Sequence, residues 1–276
     1  MEGDKITSIL SKPDIDFKDD FRQAFIVAKY EIMKFMSGKK ILIFGVINAL
    51  VLALMAVVIF AFDIDLSLGM ENYTAAQGGI ALFLSVSSYL MLLGATLFSA
   101  TSLVSEFEER TALVLFTKPI RKGSIFMGKM MASFALNLIF LVLYYAIASI
   151  VIGIKTGEFT ANVFPSLGYC TFYILALTGI AMLFSALMKK SSSASILTFI
   201  FILLVPGIIT VIIDVATLSS GGNAPDLWFM LNIASGSITD SIAGSVSNGP
   251  RDALVMLIWG LVPLIGSYLL FRRREV

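Results

Sequence analysis

Histidine is absent from this 276-residue chain and cysteine occurs once. Without histidine there is no imidazole acid or base, no histidine metal ligand and no Ser-His or Cys-His nucleophile pair. Cys170 alone closes no intrachain disulfide and builds no thiolate metal site, and its apolar neighbours mark it as a buried structural thiol. Charge is scarce as well: 14% of residues are Asp, Glu, Lys or Arg and 58% are hydrophobic, where a soluble domain carries roughly a quarter charged residues. These absences remove the usual hydrolases and point away from a water-soluble fold.

What the chain has instead is long apolar runs. Crossing about 30 Å of hydrocarbon takes about 20 residues at about 1.5 Å each. Six runs qualify: Ile41 to Phe62, Ile80 to Val104, Met130 to Ile154, Pro165 to Met188, Ala194 to Ile213 and Ala253 to Phe271. None of them contains an Asp, Glu, Lys or Arg, so each reads as a transmembrane helix and the fold class as all-α polytopic membrane protein. Glu2, Asp4, Lys5, Lys12 and Asp14 stand where a signal peptide needs an apolar core, so the first span is expected to remain in place.

Net charge is only +1, yet the basic residues are unevenly spread. Lys155 and Arg251 fall in the loops of one side, and the other 18 of the 20 fall before the first span, in two loops and in the tail. Lys and Arg are retained on the cytoplasmic side. Both termini are therefore expected in the cytoplasm of a cell-membrane protein, as an even number of spans also requires. The chain divides into a cytoplasmic N-terminus over 1–40, a membrane domain over 41–271 and a basic tail over 272–276.

Before the first span, Phe21, Phe25, Ala28, Ile32 and Phe35 recur at helical spacing. This stretch is expected to form an amphipathic helix lying at the cytoplasmic interface or docked on a protein partner. The outer loop over 214–252 is rich in Ser and Gly but contains the apolar island from Leu227 to Leu231. Behind Pro225-Asp226 the island suggests a short interfacial or re-entrant helix, with Trp228 at headgroup level. Asn72-Tyr73-Thr74 is a glycosylation sequon on the same side, a pattern too short to carry weight.

Sites for chemistry are few. Gly123 to Lys129 has the G-x-x-x-x-G-K spacing of a phosphate-binding loop. Met130 follows where a Ser or Thr hydroxyl should meet Mg²⁺, and no strand precedes it, so no nucleotide site is read there. Asp63 and Asp65, just outside the first span, would suit a metal-dependent membrane enzyme, but acids at a membrane exit are commonly plain interfacial charge. Span two carries Ser85, Ser88, Thr96 and Ser99 on one face. They would line a cargo pathway, or bond back to their own helix and glue it to a neighbour. Pro206 in span five removes a backbone hydrogen bond and is expected to kink a helix that could also line the pathway.

The loop over 105–129 carries most of the remaining information. Ser105 can cap a helix whose first turn holds Glu106, Glu108 and Glu109, with an i,i+4 pair from Glu106 to Arg110. Pro119 ends that helix. Leu113, Val114, Leu115 and Phe116 form an apolar run in a soluble loop, which calls for a partner or the lipid interface to cover it. Ser124 is a candidate start for the next helix.

This loop resembles that of ABC transporter permeases of the ABC-2 type, whose pattern runs S-E-x-E-x-x-T-x-x-x-L-x-[ST]-x-P-[IV]-x-[RK]-x-x-[IV]-x-x-G-K. Ser105, Glu106, Glu108, Thr111, Leu115, Thr117, Pro119, Ile120, Lys122, Ile125, Gly128 and Lys129 match it. Arg110 stands where many members have Gly. The resemblance implies that Glu106 to Phe116 is a coupling helix docking on a separate ATPase. Glu106, Glu109, Arg110, Thr111, Leu113, Leu115, Phe116, Lys118, Pro119 and Arg121 are its expected contact residues. It also implies two ATPase copies holding ATP and Mg, and a second permease copy, read as a homodimer before a heterodimer. No cofactor in this chain, no nucleic acid and a lipid environment complete the expectation. The reading is thus a non-enzymatic permease of an ATP-driven exporter, with an ATP-independent secondary transporter or a membrane enzyme using Asp63 and Asp65 as alternatives.

Overall fold

Each apolar run closes into a helix because hydrocarbon offers a backbone N–H or C=O no partner outside its own turn. The computed structural model describes residues 17–62, 66, 73–108, 121–220 and 227–273. Within them lie six helices long and apolar enough to cross a membrane. They are span one, Lys39–Ala61; span two, Ala75–Ser102; span three, Lys122–Thr156; span four, Val163–Leu187; span five, Ser191–Thr217; and span six, Gly249–Arg273. No strand occurs among the described residues, and the chain is an all-α polytopic membrane protein.

Span four is the hub, packing on spans three, five and six. A first side-chain carbon on Gly179 would stand 2.3 Å from the Gly260 carbonyl oxygen, so the backbones of spans four and six meet where glycine alone permits it. Ser267 ties the pair further, donating to the Met182 carbonyl at 2.8 Å. Span five lies at the other extreme. Ile196, Ile200, Leu204, Ile208, Val211 and Val215 are all exposed along it, a surface that only lipid or another protein can cover.

The N-terminal helix, Phe17–Ser37, packs along span three. Its buried positions are Ala24, Ala28, Glu31 and Phe35, while Phe21 and Phe25 are exposed. The buried face is therefore rotated about 50° from the stripe expected from its large apolar residues, at about 100° per residue. Small side chains explain the shift. A carbon added to Gly128 of span three would stand 2.6 Å from the Ala24 carbonyl and 2.7 Å from Val27 Cβ, so the close approach selects Ala and Gly over Phe.

On the opposite face, span two begins with a capping box: Thr74 accepts from the Gln77 N–H, and the Gln77 side chain accepts from the Thr74 N–H. Two short helices, Leu231–Ala234 and Ser237–Ala243, close this end. The first starts at Leu231, with Trp228 and Phe229 in the turn before it; Pro225 and Asp226 lie outside the described residues, as does Asn72. The second helix sits on spans two and four.

Candidate functional site

Span two does not run straight to the basic face. Residues Ala95–Ser99 form a π-helical turn, and the helix breaks at Leu103 before the short helix Val104–Glu108. The backbone donors released by that break are met: Leu103 N–H and Val104 N–H both donate to Ser185 Oγ of span four, each at 3.1 Å. Ser105 lies inside the short helix and donates to the Ser102 carbonyl, so it is not the expected cap. Within the short helix Glu106 and Glu108 are two residues apart, about 200° around the axis, and so point in different directions.

Glu106 reaches Lys129 at 2.9 Å and Lys34 at 3.3 Å. Lys129 also contacts Glu31 at 2.9 Å and donates to the Ser102 carbonyl at 3.0 Å. Its side chain is 3% exposed and that of Glu31 7%, so a full charge is held in the interior by two carboxylates and a carbonyl. A buried ammonium needs such partners, since the desolvation cost of a lone one is several kcal/mol. The helix of span three starts at Lys122, two residues before the Ser124 start expected and well ahead of the apolar run from Met130, which places Lys129 within it. The stretch from Gly123 to Lys129 is therefore helical, and its lysine is engaged by carboxylates.

Glu108 turns the other way, to the first turn of span five, where its carboxylate accepts from Ser191 N–H at 2.8 Å and from the Ser191 hydroxyl. A carboxylate at a helix N-terminus meets unpaired N–H groups and the positive end of the dipole. These hydrogen bonds, then the nearby Lys190 and Lys40, lower the Glu108 pKa below its ordinary 4.5. The five residues Val104–Glu108 thus tie spans two, three and five and the N-terminal helix to one another.

Of the expected contact residues, Glu106 and Arg121 are described. Arg121 stands before span three and donates to Asp20 of the N-terminal helix at 2.6 Å. Glu109, Arg110, Thr111, Leu113, Leu115, Phe116, Lys118 and Pro119 lie outside the described residues, as do Asp63 and Asp65. The residues that sequence reasoning missed are Glu31, Lys34, Ser185 and Ser191. Glu31 alone left a signal, being in register with Ala24, Ala28 and Phe35.

The polar residues of span two are spread over different surroundings. Ser85 is exposed and donates to the Leu82 carbonyl at 2.7 Å, and Ser88 is half-buried. Thr96 donates to the Leu93 carbonyl at 2.8 Å, and its own carbonyl accepts from Ser195 of span five at 3.0 Å. Ser99 Oγ is buried with no hydrogen-bond partner among the described residues. Span five remains helical through Pro206, and Thr210 donates to the Pro206 and Gly207 carbonyls at 3.2 and 2.8 Å. Pro206 lines an apolar cavity of about 190 Å³ beside the start of the short helix Leu231–Ala234, walled by Phe201, Trp259 and Met230.

Comparison with known proteins agrees with this layout. The family model described as "ABC-2 family transporter protein" matches residues 25–276. A "Probable ABC transporter permease protein NosY" of Stutzerimonas stutzeri is 26% identical over 235 residues, covering 75% of this chain and 84% of that protein. Six apolar helices, a broken second span and the pattern from Ser105 to Lys129 sit on a chain that matches the family over most of its length. The chain belongs to the ABC-2 family of transporter proteins and is a multi-pass membrane permease of that kind.

Proposed function

We propose that this chain is the permease half of an ATP-driven exporter in the cell membrane, with both termini in the cytoplasm. Two copies form the cargo pathway, and two ATPase subunits holding ATP and Mg dock on the segment from Glu106 to Arg121. The observation that carries this reading is the buried Lys129 cluster. Lys129 joins the short helix after span two, span three and the N-terminal helix, while Glu108 joins the same short helix to span five. A push on the docking segment would move these elements together, because buried ion pairs resist local separation. Spans two and five, which line the pathway in this proposal, are joined directly where Ser195 donates to the Thr96 carbonyl, and through the short helix by Glu108.

Two experiments test it. Replacing Leu115 and Phe116 together by Asp is expected to abolish co-purification with the ATPase; full recovery of the complex would remove the docking assignment. Glu106→Gln is expected to leave the complex intact and to lower cargo-stimulated ATP hydrolysis towards the basal rate. Wild-type stimulation in that variant would remove the transmission role.

A further inference from the structure

Among the described residues, span two alone carries a π-helical turn, Ala95–Ser99. Such a turn adds one residue to an α-helix and recurs at functional sites. Its hydrogen bonds show how it is held open. An α-helix would pair the Ala100 N–H with the Thr96 carbonyl, four residues back. Here that N–H goes to the Ala95 carbonyl. The Thr96 carbonyl, deprived of its α partner, accepts instead from Ser195 Oγ of span five at 3.0 Å. Two more hydroxyls, Ser133 and Thr101, reach the Phe98 and Leu97 carbonyls at 3.3 and 2.8 Å. Of the three, only Ser195 comes from span five. Other groups nearby oppose this register. Ser99 Oγ on the turn and both amide atoms of Asn137 on span three are buried without a hydrogen-bond partner among the described residues. The Asn137 amide lies against the residue before the turn, since a carbon added to Gly94 would stand 1.9 Å from its Oδ1. Buried groups without partners disfavour the state that contains them.

Ser195 stands one turn after Ser191 on the same face of span five, and Ser191 is held by Glu108. We propose that Ser195 and the π-helical turn form a two-state latch between spans two and five, a role that rests on the ATP-driven reading above. In the state seen here Ser195 is engaged and the turn is open. When the docking segment draws the start of span five away through Glu108, Ser195 leaves the Thr96 carbonyl. The Ala100 N–H then returns to that carbonyl, and the turn closes to an α-helix. Closure changes the register between the pathway part of span two and the short helix Val104–Glu108 by one residue, about 100° and about 1.5 Å. Ser195 is thus a positioning residue that acts through the backbone of span two.

Deleting Leu97, half-buried in the turn, tests the latch. The deletion removes the extra residue, keeps the two ends of span two as they stand here, and gives the Thr96 carbonyl an N–H of its own helix. In the purified full chain, Ser195→Ala is expected to weaken the folding equilibrium in mixed micelles about fivefold, the share of one neutral hydrogen bond. Ser195→Thr is expected to restore it, and in the chain lacking Leu97 Ser195→Ala is expected to change nothing. An equal loss in both backgrounds overturns the role given to Ser195. With the ATPase bound, Ser195→Ala is expected to raise basal ATP hydrolysis about fivefold by populating the closed turn, and Ser195→Thr to restore it. The deletion is expected to keep the ATPase bound and to slow hydrolysis severalfold. A wild-type rate in the deletion overturns the latch. Unchanged basal hydrolysis in Ser195→Ala overturns it too, even should the shortened chain fail to fold. A wild-type chain that holds no ATPase removes the permease reading instead, and the chain alone still decides whether Ser195 holds the turn.

Discussion

The two ends of the membrane domain are held together by different chemistry. On the basic face the joints are ionic: Lys129 between Glu31 and Glu106, Lys34 on Glu106, and Glu108 on the start of span five. On the opposite face they are largely neutral, the exception being Asp252 of span six, which accepts from Ser237 of the short helix and pairs with Arg251 at 3.3 Å. Ser166 donates to the Ile238 carbonyl at 2.7 Å, which leaves Tyr145 to donate to Ser166 and Cys170 to donate to Tyr145, each at 2.9 Å. Asn162 donates to the Ile242 carbonyl at 2.8 Å, and Trp259 to the Phe229 carbonyl at 2.8 Å. A neutral hydrogen bond contributes a net of about 0.5–1.5 kcal/mol, and one to a charged group about 1.5–3 kcal/mol. The neutral end suits a cap that shifts or loosens at small cost. The ionic end suits elements that must move as one piece.

The largest effect that would break this contrast is at Lys129. Lys129→Met leaves Glu31 buried without its cation, and removing one partner of a buried pair costs about 3–5 kcal/mol. Unfolding in mixed detergent micelles is expected to show a loss of that size, with most of it recovered in Lys129→Met/Glu31→Gln, where Glu106 keeps Lys34. The neutral end should give less. Ser166→Ala removes two hydrogen bonds, the one to the Ile238 carbonyl and the one from Tyr145, while Ser241 still donates to that carbonyl and Cys170 stays beside Tyr145, a cost of about 1–3 kcal/mol for the two bonds. Its main readout is faster proteolysis or hydrogen exchange of 231–243 with span packing retained. Equal losses at the two sites would erase the distinction between a rigid end and a loose one.

How much of this can be read in the residues depends on what carries it. The six spans are legible because each is a long run without charge, and the match from Ser105 to Lys129 marks the loop where the elements converge. The partner of Lys129 is not legible from that loop. Glu31 lies on a helix whose Phe21 and Phe25 dominate its apolar pattern, whereas close packing against Gly128 selects the face with Ala24 and Ala28. Hydrophobicity reports which residues avoid water, and both faces of this helix carry apolar residues, one exposed with Phe21 and Phe25 and one packed against span three. The break at Leu103 is equally silent, since its donors are met by Ser185 from a span that lies far along the chain.

The smallest effect sharpens the contrast by its sign. Glu108 has a folded pKa lowered by its hydrogen bonds to Ser191. Its stabilising contribution is complete above the unfolded value of about 4.5 and is lost as pH falls through the lower folded value. Asp240, on the short helix of the opposite face, is shifted the other way by partial burial and then by the charge of Asp252, to above its ordinary 3.8. Folding there favours the protonated acid, so its contribution is present at low pH and is lost as pH rises through the raised value. Acidification below about pH 4.5 is therefore expected to loosen the junction of Glu108 with span five while firming the helix Ser237–Ala243. Site-resolved proteolysis across pH 3.5 to 7 reads both ends at once. Glu108→Gln is expected to flatten the acid response around Ser191, and Asp240→Asn to flatten the opposing response around 237–243. A response of the same sign at both ends would mean that acid acts on the membrane domain as a whole and not through these two carboxyls.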